Sequence, residues 1–278
     1  MMTTNHTVIF GDSRDVLKDI EDESVALVVT SPPYFVRREY EHYIKDEIDY
    51  WHIVLGIFEE CVRVVEPFGK IAINFADRYA NAKDYGRPFE KLYSFRYDDM
   101  LSFHGFDLWT RVIWDKVGVF TQGATHLAAP SNQTGQMRVA PNWEYIFVWR
   151  KNSEGTPPKK DVDMTKEERI LWTDAIWSFP SVAVNEVEKG FKLAKFPEEL
   201  PYRLIKMYSA PEDTVLDPFA GTCTVARVAM NLNRHSISIE KNTAMEQCIQ
   251  ETLGASKKGV QEDMFMGVPN LEFIHAST

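Results

Sequence analysis

The chain has 278 residues, 44% of them hydrophobic and 26% charged, with a formal net charge of −10. That balance excludes a disordered or fibrous chain, and the length suits one large α/β domain with an insertion or two modest domains. No run of about 18 apolar residues occurs, and the first residues lack the basic-then-apolar pattern of a secretory signal, so a cytoplasmic location without membrane contact is expected.

Cys61, Cys223 and Cys248 are widely spaced with no CxxC pair, and no histidine shows ligand spacing. Neither a disulfide framework nor a metal site is therefore expected. An acidic chain is a poor general binder of polyanions, but the charge is uneven. Residues 111 to 206 hold 14 Lys and Arg against 12 Asp and Glu, so that segment carries +2 and the remainder −12. A nucleic-acid-facing surface would sit in the middle segment, although a solvated surface gives the same counts.

The predicted elements begin with Val25 to Thr30, an apolar β-branched run that stops before Pro32 and Pro33 and reads as a buried parallel strand entering a loop. Next, "YWHIVLGIFEECVRVV" spaces Ile53, Val54, Ile57, Phe58, Cys61, Val62 and Val65 as an amphipathic helix does, with Cys61 on its core face. Residues 69–77 form a second apolar strand. Residues 107–116 and 143–151 read as two more strands, rich in aromatic and β-branched residues, that pair at one sheet edge. In the latter, Trp143, Tyr145, Phe147 and Trp149 alternate with the period of core strand residues. The polar stretch 151–170, with its Pro-Pro, reads as a linker. A helix follows from about Phe196, then a strand through Val215 and Leu216, a turn, a helix from about Thr224 and a strand from Ser236 to Ile239. Such alternation implies a mostly parallel, doubly wound sheet.

Two places on this frame carry chemistry. Asp217 ends one strand before a turn through Phe219 and Gly221, and glycine there lets the backbone approach a ligand at the carboxyl end of the sheet. Glu240 closes the next strand, where a carboxylate can accept both hydroxyls of a ribose. Together they describe a nucleoside pocket, although one glycine also fits a structural β-turn-α corner. The other place is "TSPPY", Thr30 to Tyr34, whose prolines fix an extended loop and remove two N–H donors. An amino group on an aromatic ring is a poor nucleophile because its lone pair is delocalised. The Ser31 hydroxyl and Pro32 carbonyl can accept its two hydrogens and favour a tetrahedral nitrogen whose lone pair faces a methyl donor. Tyr34 is placed to stack on a base held outside the duplex. An ordinary Ser-Pro-Pro turn with a core tyrosine has the same letters. No cysteine lies near Pro32 or Pro33, so a thiol nucleophile is not expected.

"TSPPY" together with "DPFAGTCT" resembles the amino-methyltransferases of bacterial restriction-modification systems, whose target motif is S/D/N-P-P-Y/F and whose cofactor motif is F-x-G-x-G. Residues 30–34 precede residues 217–224, the motif order of the circularly permuted β group. "GDSRDVL" resembles the segment whose acid, here Asp12, sits by the cofactor's adenine. "LAKFPEELPYRLI", preceded by "TDAIWSFP", resembles the cover of the methionine end, with Lys195, Phe196 and Pro197 at its core. Two positions depart from the family: Cys223 replaces the last glycine of the cofactor motif, and Leu193-Ala194 replaces His-Pro.

The resemblance implies a site-specific DNA methyltransferase with a Rossmann-like, seven-stranded α/β sheet, catalytic parts at residues 1–117 and 191–278, and a target-recognition region at 118–190. It places S-adenosyl-L-methionine against Asp12, Lys195, Phe196, Pro197, Asp217, Phe219, Gly221, Thr222 and Glu240. Ser31, Pro32, Pro33 and Tyr34 would meet the target amino group. The substrate would be double-stranded DNA with the base flipped out, methylated by direct displacement. S-P-P-Y is associated with N(4)-methylcytosine, and adenine N(6) is the alternative. Arg37, Arg38 and Arg138 are candidates for DNA contact and equally for solvated surface. A cognate restriction endonuclease and a homodimer are candidate partners. The rival readings are an RNA or protein amide methyltransferase, whose motif order is usually reversed, and an inactive binding module, against which an intact "TSPPY", Asp217 and Glu240 count.

Overall fold

The computed structural model describes residues 3–35, 43–80, 85–87, 89–118, 141–160, 162–182, 195–259 and 270–276; Arg37, Arg38 and Arg138 lie outside them. One sheet dominates. Its strands are β1 (Asn5–Phe10), β2 (Val25–Thr30), β3 (Val65–Phe75), β6 (Phe106–Asp115), β7 (Trp143–Lys151), β8 (Ile176–Ser178), β9 (Thr214–Asp217), β10 (His235–Glu240) and β11 (Asn270–His275). They lie in the order β11-β1-β10-β9-β2-β3-β7-β6-β8, and a separate hairpin joins β4 (Arg78–Ala80) to β5 (Phe89–Lys91). From β11 to β3 every neighbour is parallel. β7 runs antiparallel to both β3 and β6, while β8 is parallel to β6. The sheet is mostly parallel, as expected, but among the described residues it has nine strands rather than seven. The three-residue β8 and the half-exposed β11 extend its two edges.

Burial explains why the central strands are plain in the sequence. Every residue of β2 is buried because helices cover both faces. Leu27 and Val29 enter one core cluster and Val28 the other, the period-two alternation of a strand, while Val25 joins the Val28 side across the register shift between Val25 and Leu27. The first face meets α2 (Glu47–Val64) and α3 (Tyr93–Phe103), through Ile53, Val54, Ile57, Phe58, Cys61 and Tyr97. Asp46 caps α2 by accepting from the Asp49 amide at 2.9 Å. The second face meets α5 (Glu199–Tyr208) and α6 (Thr224–Asn231), through Leu200, Leu204, Ile205, Val225 and Val228. Phe147 and Trp149 are core residues on the α2 side, whereas Trp143 is half-buried at the strand end.

The expected linker 151–170 contains the start of α4 (Lys166–Trp172), which opens on a capping box between Thr165 and Glu168. The same connection is pinned to the sheet's C-terminal half. Arg234 is completely buried, and its guanidinium donates to Asp163 (2.9 Å) and to the carbonyls of Ser209 (2.8 Å) and Leu232 (2.7 Å). Asp163→Ala would leave that charge buried with only two carbonyls and the Ser209 hydroxyl as partners. Unfolding free energy is expected to fall by about 2–4 kcal/mol, somewhat below the range for a fully enclosed pair because the Asp163 side chain is one-third exposed. The check is the urea midpoint at unchanged m-value; a loss under about 0.5 kcal/mol would make the pair a mere surface contact.

Candidate active site

The carboxyl ends of the parallel strands open onto one cavity of about 620 Å³, the position at which doubly wound sheets take ligands. β1 brings Asp12 and Ser13, β2 brings Ser31, Pro32, Pro33 and Tyr34, β9 brings Phe219 and Gly221, and β10 ends at Glu240; Lys195 and Phe196 complete the wall. Three expected residues do not line it. Asp217 is 2% exposed behind the turn, and Thr222 is buried with its hydroxyl 3.2 Å from that of Thr224. Pro197 stands at the entry to α5, where its carbonyl accepts from the Leu200 amide.

Side chains tie the strand ends together. The Thr30 hydroxyl donates to Asp217 Oδ1 at 2.7 Å, and the Phe219 amide donates to the same oxygen at 3.0 Å. Burial pushes the Asp217 carboxyl up to about 7, against the opposing pull of those two bonds. Glu240 Oε2 accepts from the Gly221 amide at 2.8 Å and Oε1 from the Asn242 amide at 2.7 Å; burial raises this carboxyl too. Ser13 donates to the Pro218 carbonyl at 2.6 Å. Asp12 caps α1 (Ser13–Val16) and accepts from Arg14 and from Lys241 (2.8 Å), bonds that hold its carboxyl well below the usual range. Gly221 has φ +53°, and Cys223 shares this left-handed geometry at φ +59°. That explains why glycine suits position 223: a Cβ there costs about 1–2 kcal/mol.

In the "TSPPY" loop the Tyr34 ring packs against the core. Its hydroxyl accepts from Ser31 Oγ at 3.2 Å and donates to Glu144 Oε2 at 3.0 Å. Burial, then the Glu144 charge, holds the phenol well above its ordinary value, so it stays protonated.

Residues 25–251 match the DNA methylase family. The chain belongs to that family. It is similar over almost its whole length to the Type II methyltransferase M.MjaI of Methanocaldococcus jannaschii, with 32% identity covering 99% of this chain and 98% of the relative. Among solved structures it resembles TTHA0409 of Thermus thermophilus complexed with S-adenosyl-L-methionine, at TM-score 0.73 and 25% identity over 97% of this chain and 99% of that one. It shares its fold with the cytosine-N4-specific PvuII DNA methyltransferase, at TM-score 0.68 and 23% identity over 95% and 89% of the two chains.

The methylase's cavity also holds residues that sequence reasoning missed: Asn74, Trp114, Lys116 and Glu144. Asn74 is a buried polar residue in the apolar run "AINF", and Glu144 is a charge inside an aromatic strand. Both are oddities that mark a functional position only once the strand ends are known to face a cavity. Among the described residues no His, Cys, Asp and Glu cluster suits a metal, and no helix is long and apolar enough to cross a membrane.

The raised Asp217 carboxyl gives a pH prediction. Between the ordinary aspartate value, 3.8, and about 7 the unfolded chain has lost this proton while the folded methylase keeps it. Stability therefore falls as pH rises through that window. Asp217→Asn abolishes the titration, and its Oδ1 can still accept from both Thr30 and Phe219, because both bonds fall on one oxygen. From pH 4 to 7 the wild type is expected to lose on the order of 3 kcal/mol relative to the variant in urea unfolding. A constant difference across that range would contradict a buried, protonated Asp217.

Proposed function

We propose that this methylase transfers a methyl group to the exocyclic amino nitrogen of cytosine in duplex DNA, giving N(4)-methylcytosine. It is a DNA methyltransferase of the N6/N4 family and uses S-adenosyl-L-methionine. The observation that supports methylation of an exocyclic amino group is the meeting of the "TSPPY" loop and the "DPFAG" turn at one cavity, at the ends of adjacent strands β2 and β9; the choice of cytosine rests on the association of S-P-P-Y with that base.

The cavity fits such a cofactor. Its volume lies within the roughly 300–1,000 Å³ of small-molecule sites. A Cβ at Gly221 would meet no protein atom within 4 Å, so glycine here leaves open the space it lines. Glu240, Phe219 and Asp12 would hold the nucleoside, and Lys195 and Phe196 the methionine end, with Pro197 behind them at the entry to α5. Asp217 and Thr222 would shape the turn between them. The cofactor supplies an electrophilic methyl group on a sulfonium.

The chain's own residues do the rest. Ser31 Oγ and the Pro32 carbonyl accept the two amino hydrogens, Pro33 stiffens the loop, and Tyr34 lies against the base, which must leave the duplex to reach them. No covalent enzyme intermediate is needed. All three thiols are buried, and burial pushes those of Cys61 and Cys223 up, away from the reactive thiolate.

The permuted β-group order and the assignment of target recognition to residues 118–190 belong to this reading. Within that segment β7, α4 and β8 contribute to the sheet and its cover, so base reading is assigned to the stretches around them. A cognate endonuclease and a second copy of the chain are the partners this kinship suggests.

Expression in a methylation-free bacterial host, followed by digestion of its DNA to nucleosides and mass spectrometry, tests the reaction and the base together. N(4)-methyldeoxycytidine is expected. N(6)-methyldeoxyadenosine in its place would overturn the base assignment, and the absence of both would overturn the function. Ser31→Ala should lower turnover by about 2–4 kcal/mol of transition-state stabilisation while leaving S-adenosylhomocysteine affinity unchanged by calorimetry. A parallel loss of affinity would place Ser31 with the cofactor instead.

A further inference from the structure

Ser31 can serve the target amino group only if its lone pairs, not its proton, face the cavity, and a free hydroxyl rotates between the two arrangements. The surroundings of the Tyr34 hydroxyl remove that choice. Among the described residues, every polar partner of Tyr34 Oη other than Ser31 is an acceptor: Glu144 Oε2 at 3.0 Å, Asn74 Oδ1 at 3.4 Å and the Asn74 carbonyl at 3.5 Å. The Asn74 amide is oriented by its Nδ2, which donates to the Tyr145 carbonyl at 3.1 Å and so turns Oδ1 toward Tyr34. Glu144 is 9% exposed, and its other oxygen, Oε1, pairs with Lys116 Nζ. Lys116 itself lies 5.0 Å over the Trp114 ring. A carboxylate donates nothing. The phenol proton therefore points inward to Glu144, the phenol oxygen accepts from Ser31 at 3.2 Å, and the Ser31 proton is committed away from the substrate.

Resting on the function proposed above, we infer that Glu144 is a positioning residue: held by Lys116, it fixes the hydrogen-bond direction Ser31 to Tyr34 to Glu144 and so makes Ser31 a pure acceptor toward the amino group. Glu144 acts through Tyr34 and does not touch the reacting atoms. In water-poor surroundings a chain of hydroxyls aligned this way polarises in one sense, which strengthens the last acceptor in it. Orientation is in place before the substrate arrives, so no reorganisation is needed during the reaction.

The test is a double-variant cycle with Glu144→Gln, Tyr34→Phe and both together. The readout is the single-turnover rate of tritium transfer from labelled S-adenosylmethionine to unmethylated bacterial genomic DNA, with S-adenosylhomocysteine affinity measured by calorimetry. Glutamine can donate as well as accept, so it keeps the shape and loses the direction. Each single variant is expected to slow transfer by at least about tenfold with unchanged S-adenosylhomocysteine affinity, and the double variant to be no slower than the slower single one. Tyr34→Phe keeps the ring and its packing, so it carries the prediction even where Glu144→Gln does not fold. Multiplying losses in the double variant, an unimpaired Glu144→Gln, or a parallel fall in S-adenosylhomocysteine affinity would each overturn the inference while the proposed function stands. A wild type that binds S-adenosylhomocysteine but never labels DNA would overturn the function, and this inference with it.

Discussion

The hydrogen bond from the Thr30 hydroxyl to the buried Asp217 carboxyl group joins the ends of two strands 187 residues apart in sequence. β2 and β9 pair through only two residue positions, Leu27 with Val215 and Val28 with Leu216. Beyond that short ladder the side chains carry the connection, and it is there that the two loops diverge. Asp217 also holds the Phe219 amide, Glu240 holds the Gly221 amide, and Ser13 holds the Pro218 carbonyl. The turn after β9 is thus tied to three other strand ends. A buried acid is costly unless its lone pairs are used; here that cost is accepted at the point where the "TSPPY" loop and the "DPFAG" turn are brought into register.

This arrangement separates support from contact. Asp217 is too deep to line the cavity, yet it positions the backbone on both sides of it. Glu240 does line the cavity and has one backbone amide on each oxygen, which orients the carboxylate and leaves further lone pairs toward the open side. A floor held this way has little freedom to rearrange on binding, and preorganised polar groups of this kind act on developing charge without first having to turn.

How much of this was legible in the sequence follows from the same physics. β2, β3 and α2 were plain because full burial on two faces writes an unbroken apolar run and a clean helical stripe. The motif loops were legible because their residues are contiguous. The edges were not: β8 is three residues long, and the alternation of β11 is half-exposed, so neither carries enough burial to mark its sequence. The capping box at Thr165 and Glu168 was a readable sign of α4, obscured by the Pro-Pro and charges before it. Asn74, Lys116 and Glu144 were out of reach for a different reason. They come from the antiparallel part of the sheet and its neighbour β3, and only the pairing of Phe75 with Tyr145 and of Trp114 with Glu144 brings them to the mouth that Ser31 occupies.

The committed proton of Ser31 also bears on which base is chosen. A serine free to rotate could accept from the amino group or donate to the ring nitrogen beside it, and an aspartate could only accept. With its hydroxyl donating to Tyr34 Oη, Ser31 would offer the substrate what an aspartate would offer, without the negative charge. Cytosine and adenine each present an amino group next to an unprotonated ring nitrogen, so an acceptor at residue 31 treats the two alike. The bases differ elsewhere, in the second ring of adenine and the ring carbonyl of cytosine. On the proposed function those differences would meet the walls of the cavity, where Trp114 is fixed by the bond from its indole nitrogen to the Phe179 carbonyl at 2.9 Å and by stacking on the Phe179 ring. If serine goes with cytosine, the choice would then lie in the cavity that accompanies the serine, whose outline here is set by residues of β6 and β7 with Lys195 and Phe196.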